Sequence, residues 1–142
     1  MFRRPILSLV SACALTLATL LPSSAIAGDT ATFRSVIEGQ IAAFRAGDGA
    51  AAYGFAAPVI KRMFPNPDQF MAMVRRGYQP VYNPSSVSFG QMRQTDGGPV
   101  QEVFVTDAKG REWLALYSFT QAADGSWKIS GCVLTASPGA SA

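Results

Sequence analysis

The sequence predicts an α+β domain in which N-terminal helices pack on a curved antiparallel four-stranded meander, and three observations carry that expectation. Residues 32–77 hold apolar side chains at helical spacing between capping residues. Residues 87–135 break into four runs of strand character. The connections between those runs are short enough to make hairpins. Ahead of this domain, residues 1–27 read as a secretory signal, which leaves residues 28–135 as a single domain and 136–142, rich in Ser, Gly and Ala, as a flexible tail.

The signal has three zones in the order a signal peptidase reads: basic Met1-Phe2-Arg3-Arg4, an apolar run over 6–21, and Ala25-Ile26-Ala27 before Gly28. Cleavage after Ala27 and export to the periplasm or the medium are the expectation. A stable membrane anchor is disfavoured, because the run is shorter than the ~20 residues of a spanning helix, and Pro22 ends it with no basic flank behind. Val10-Ser11-Ala12-Cys13 resembles a lipobox, but the apolar segment continues well past Cys13, which argues against lipidation.

Cleavage removes Arg3 and Arg4, so the 12 Lys and Arg of the full chain fall to ten against nine Asp and Glu, a net charge near +1. Lys61-Arg62 and Arg75-Arg76 are the basic clusters, a weak platform for nucleic acid, and no nucleic-acid partner is expected. Cys13 leaves with the signal, so Cys132 cannot close an internal disulfide, and stability must come from packing.

Each element has its own reason. Over 32–45, Phe33, Val36, Ile37, Ile41 and Phe44 repeat at helical spacing, with Thr32 as N-cap and Gly47 as stop. Asp48 caps an alanine-rich helix over 49–57 that Gly54 weakens. Pro58 opens a third helix carrying Val59, Ile60, Met63 and Phe64, and Pro65 closes it. Asn66-Pro67-Asp68-Gln69 opens the fourth with a capping Asn, a first-turn proline and Gln at N3. Phe70, Met73 and Val74 share its face, Gly77 ends it, and Arg75 and Arg76 suit its C-terminal dipole. Over 78–84, Pro80 and Pro84 predict an extended path. Strands follow over 87–94, 100–106, 112–120 and 127–135, divided by Asp96-Gly97-Gly98, Ala108-Lys109-Gly110 and Asp124-Gly125.

This helix-then-sheet order, with Ile41-Ala42-Ala43-Phe44-Arg45-Ala46-Gly47-Asp48 and the ending Asp124-Gly125-Ser126-Trp127-Lys128-Ile129, resembles the nuclear transport factor 2-like superfamily. The resemblance implies a cone of helices against a bent sheet, enclosing a pocket. More narrowly, Ala52-Tyr53-Gly54-Phe55-Ala56-Ala57-Pro58, Phe70-Met71-Ala72-Met73-Val74, Gly77-Tyr78-Gln79-Pro80-Val81-Tyr82 and Trp127-Lys128-Ile129-Ser130-Gly131-Cys132 are similar to the bacterial family called domain of unknown function 4864. That likeness covers nearly all of the mature chain and implies a fold without a mechanism.

The chemistry has to be read from residues. The chain has no histidine, which excludes Ser-His-Asp and Cys-His arrangements together with the commonest transition-metal ligand. Cys132 without a Cys or His partner makes no structural zinc site, and Gly97-Gly98 sits where a hairpin needs it, not in a phosphate-cradling loop. Neither a metal nor a cofactor is expected. Pocketed relatives in the superfamily include isomerases and dehydratases, the isomerase-like ones pairing a carboxylate base with a tyrosine or protonated carboxyl. This chain would need Asp48, Glu102 or Glu112 as the base and Tyr53, Tyr78, Tyr82 or Tyr117 as the donor. Asp48 is better explained as an N-cap worth about 1 kcal/mol, and the two glutamates as cross-strand partners of Lys or Arg.

Gln40 interrupts the apolar stripe between Ile37 and Ile41 and therefore points inward, where an amide must find backbone or ligand partners. Phe55, Tyr78, Tyr82, Trp113, Tyr117 and Trp127 read as core, or as the wall of an apolar cavity. The pocket candidates are thus Gln40, Tyr53, Tyr78, Tyr82, Trp113 and Tyr117. Cys132, beside Val133 and Leu134, reads as an inert buried thiol. On the third strand Trp113, Ala115, Tyr117 and Phe119 share one face, and Leu114 and Leu116 share the other with Glu112 and Ser118. Two partly apolar faces predict a cover on both, with a homodimer through the sheet as the second layer. The leading functional expectation is a non-catalytic exported module that binds a small apolar ligand or a protein partner. The alternatives are a small-pocket isomerase or lyase using a carboxylate base and a Tyr donor, and an envelope-associated interaction domain with no pocket.

Overall fold

The computed structural model describes residues 24–137, with side chains from residue 29 onward. The signal expectation for residues 1–23 and the tail from 138 lie outside the described residues. Among the described residues no helix is long and apolar enough to cross a membrane.

Among the described residues five helices precede the sheet: α1 (Ser24–Arg45), α2 (Gly49–Gly54), α3 (Pro58–Met63), α4 (Pro67–Gly77) and α5 (Gln79–Tyr82). Helix α1 starts upstream of Thr32, which is an interior residue and not the expected N-cap. Residues 24–31, half of them Ala or Thr and none of them proline, carry the helix on upstream, so the capping signal has no end to cap. The cleavage point expected after Ala27 falls in the first turn of α1. The far end matches the sequence: Gly47 takes φ 67°. There the Gly47 N–H donates to Phe44 O at 3.0 Å and the Asp48 N–H to Ala43 O at 2.9 Å, the paired bonds of a Schellman cap.

Asp48 Oδ1 accepts the Ala51 N–H at 3.0 Å and opens α2. This helix stops at Gly54, short of the expected 57, because residues 55–57 leave it to pair with the sheet. The Ala57 N–H donates to Ile129 O at 2.8 Å, and the Ile129 N–H to Phe55 O at 2.8 Å. That bridge covers part of an otherwise open sheet edge. Pro58 sits in the first turn of α3 and Pro67 in that of α4, where Asn66 Oδ1 accepts the Gln69 N–H at 2.9 Å. Residues 79–82 form a helical turn and not the expected extended path, because Pro80 falls in its first turn, where no N–H is needed.

The strands are β1 (Ser86–Thr95), β2 (Gly98–Thr106), β3 (Glu112–Gln121) and β4 (Trp127–Ala136), antiparallel in the order β1-β2-β3-β4, and the sheet is open. Ala136 thus belongs to β4, and the Ser137 N–H donates to Glu112 O at 3.1 Å, so the chain is held one residue beyond the strand.

The inner sheet face carries Val103, Val105, Ala115, Tyr117, Phe119 and Ile129, all buried under the helices. Phe33 of α1 stacks on Phe119 at 4.6 Å between ring centroids and meets Trp127 edge-on at 5.0 Å. On the outer face Leu114 and Leu116 are half-buried, and Phe104 and Val133 are exposed. Two irregularities interrupt the ladder, one in β1 between Phe89 and Met92, the other opposite Ser118 and Phe119, where Ser130 is the extra residue of β4. Buried Gln101 serves the first: its Nε2 donates to Gly90 O at 3.1 Å, a carbonyl of the bulged stretch.

Candidate functional site

A cavity of about 300 Å3 lies between the helices and the β3–β4 half of the sheet. Phe44 of α1, Ile60 of α3, and Phe70 and Val74 of α4 form its apolar walls, and Tyr117, Ile129 and Cys132 contribute from the sheet. The amphipathic spacing of α4 explains its part: Phe70 and Val74 are one turn apart and buried, while Met73 on the same side is half-buried and lines the cavity. The β4 bulge lies at the cavity, since Ser130 and Gly131 belong to its lining. A bulge beside a cavity turns side chains that a regular ladder would hold flat.

The polar groups of the lining are few and neutral. Gln40 is buried, and its Nε2 donates to Ala52 O at 3.2 Å, tying α1 to α2. Tyr117 is 1% exposed, and its hydroxyl has no hydrogen-bond partner among the described residues. It stands opposite Cys132 across the β3–β4 ladder. The two groups influence each other's ionisation, and the sulfur is at most a weak acceptor for the hydroxyl. Burial pushes the Cys132 thiol up to about 12, and the Tyr117 hydroxyl draws it the other way. Burial, with Cys132 adding to it, lifts Tyr117 well above its ordinary value and raises Tyr78 as well. All three are protonated and uncharged at neutral pH.

Of the six candidates from sequence, the fold brings Gln40, Tyr78 and Tyr117 to this cavity and places Tyr53, Tyr82 and Trp113 outside its lining. The Tyr53 hydroxyl donates to Phe64 O at 2.7 Å, and the Lys61 ammonium lies 4.8 Å above its ring, which ties α2 to the end of α3. Tyr82 packs on Phe44 at 5.9 Å between centroids. The Trp113 indole N–H donates to Asp107 Oδ2 at 2.9 Å.

Asp107 is a residue that sequence reasoning passed over. Its Oδ1 accepts the Lys109 and Arg111 backbone N–H groups, both at 2.9 Å, and its Oδ2 also accepts Arg111 Nε at 3.1 Å. The Trp113 hydrogen bond above all, helped by the Arg111 and Lys109 backbone and the Arg111 side chain, lowers its pKa to about 2. It is a structural anion that organises the β2–β3 turn. Ser130 was legible in principle, because Gly131 inside a strand pattern signals a bulge.

Among the described residues the lining contains no Asp, Glu, Lys or Arg. Asp48 caps α2, Glu102 pairs with Arg93 on the sheet surface, and Glu112 is exposed. No group of three or more potential metal ligands occurs among the described residues.

A family model described as Domain of unknown function (DUF4864) matches residues 27–142. No curated protein and no solved structure gives a significant match.

Proposed function

The chain belongs to the DUF4864 family, whose description names no activity, and from that premise we propose that it is a binding module holding a small, mainly apolar molecule between its helices and sheet. The observation that carries this reading is the lining: apolar side chains, a handful of neutral polar groups and, among the described residues, no charged residue around a cavity of about 300 Å3. Small-molecule sites have this composition, with a few polar groups fixing orientation. An isomerase or lyase would need a base in contact with the substrate, and the three carboxylates considered for it are engaged or exposed elsewhere. The family and the helix-then-sheet order are in keeping with a nuclear transport factor 2-like cone.

The signal-like N-terminus supports a place outside the cytoplasm, and N-terminal sequencing of the mature chain tests it, with Gly28 as the expected first residue. Native against denaturing mass spectrometry of the protein recovered from a periplasmic fraction tests the binding role. An added small-molecule mass that survives gentle ionisation and disappears on denaturation is the expected result, and a bare chain counts against it. The two-sided apolar pattern of β3, with Phe104 and Val133 exposed, supports a second copy packed on the outer sheet face. Light scattering at micromolar concentration tests that reading, and a monomer refutes it.

A further inference from the structure

The sheet side of the cavity holds one group that the fold leaves unsatisfied. A buried hydroxyl normally has a hydrogen-bond partner. Tyr117, at 1% exposure, has none among the described residues, and it lines the cavity. The neighbouring polar groups supply no strong acceptor to it: Gln40 directs its Nε2 to Ala52 O, and the Cys132 sulfur across the ladder, which interacts with the hydroxyl, is a weak acceptor. The other buried orphan among the described residues, Gln101 Oε1, lies outside the lining.

A protonated phenol is a strong donor and a protonated thiol a weak one, so this corner of the cavity offers protons and asks for a lone pair. A charged head would enter an apolar space with no counter-charge among the described residues of the lining, at a large desolvation penalty. A pure hydrocarbon would fill the space and leave the hydroxyl as it is. The volume of about 300 Å3 admits a molecule of on the order of ten non-hydrogen atoms, at the ~30 Å3 a small group occupies in a liquid.

We propose that the cavity takes a neutral, mainly apolar molecule bearing one hydrogen-bond acceptor of the ketone, aldehyde or ester carbonyl class, which receives the proton of the Tyr117 hydroxyl. This rests on the reading of the cavity as a binding site and adds the class of head group it selects.

The test is calorimetric titration of the full chain and its Tyr117→Phe variant with four probes of about ten non-hydrogen atoms: propiophenone, butylbenzene, 3-phenylpropanoate and 3-phenylpropylamine. In the wild type, propiophenone and butylbenzene bind, and the two charged probes bind at least about tenfold more weakly than the ketone. Tyr117→Phe weakens propiophenone about tenfold and leaves butylbenzene within about twofold. An equal effect on the two neutral probes, no effect on either, or tighter binding of a charged probe overturns the head-group assignment and leaves the cavity reading standing. Failure of both neutral probes to bind the wild type overturns the cavity reading and the assignment with it. The infrared carbonyl stretch of propiophenone bound to the wild type gives a second readout independent of how the variant folds. A shift to lower frequency than in hexane is expected, and an unshifted band overturns the assignment.

Discussion

Replacing Tyr117 with phenylalanine should stabilise the protein, although the residue is buried in the core. The ring packs among Val103, Ala115 and Phe119 in the same buried cluster, and phenylalanine keeps it. What the substitution removes is the hydroxyl that has no partner. Burying such a group unpaired costs about 1–3 kcal/mol. Deleting one oxygen leaves a void on the order of 10 Å3, which at ~24 cal/mol per Å3 offsets only ~0.2 kcal/mol of the gain. A net stabilisation of about 1 kcal/mol follows, equivalent to a rise of roughly 3–6 °C in Tm for a domain of this size. Urea unfolding of the ligand-free protein, followed by far-ultraviolet circular dichroism and by tryptophan fluorescence, measures it directly. The midpoint should move up with an unchanged m value. A midpoint lowered by the equivalent of about 1 kcal/mol, again at constant m, would falsify the reasoning, because it would mean that the hydroxyl has a partner in the folded state.

Three further outcomes are expected. The Asp107 pKa falls from an ordinary 3.8 to about 2 on folding, so its contribution is complete above pH 4 and lost as pH falls towards 2. Asp107→Asn should therefore flatten the loss of stability between pH 4 and 2, and parallel wild-type and variant curves in that window would contradict the assignment. With its thiol held near 12, Cys132 is thiolate in on the order of one molecule in ten thousand at pH 8, so peptide mapping after iodoacetamide treatment should find it modified only when urea unfolds the chain; rapid modification in native buffer would sink the idea. Gln40→Leu, which loses the bond to Ala52 O, should destabilise by about 1 kcal/mol in the same urea assay, and no change would show that the amide does not hold α1 to α2.

The parts of the fold that were legible are those with local causes. Asn66-Pro67 starts α4, Gly47 and Asp48 separate α1 from α2, and the glycine-bearing turns separate the strands, all through groups a few residues apart. The departures have causes remote in sequence or ambiguous in sign. Helix α2 ends early because residues 55–57 bond to Ile129, more than 70 positions away, and a proline such as Pro80 fits a first helical turn as well as an extended path. The site divides the same way. Gln40 was visible as a polar break in an apolar stripe. The tyrosines could not be sorted, because what takes Tyr53 out of the lining is the Phe64 carbonyl, and what occupies Trp113 is an Asp107 carboxylate positioned by a turn.

The cavity's position follows from how the core is divided. At one end Phe33, Phe119 and Trp127 interlock with centroids 4.6 and 5.0 Å apart, filling the space between α1 and the sheet. Immediately beside that cluster, opposite Phe119, the helices reach the sheet differently: residues 55–57 are fastened to β4 at Ile129, and the Ser130 bulge comes at the next residue. Helices pinned to an irregular strand cannot close on it as they would on a flat one, so space remains beside the bulge. Part of the lining can change its shape. Met63, 62% exposed, and half-buried Met73 both line the cavity, and unbranched thioethers adapt their shape at little cost. A fold with well-packed aromatic contacts beside its cavity can tolerate an unsatisfied tyrosine in the lining, and on the binding reading proposed above a bound molecule supplies the missing acceptor.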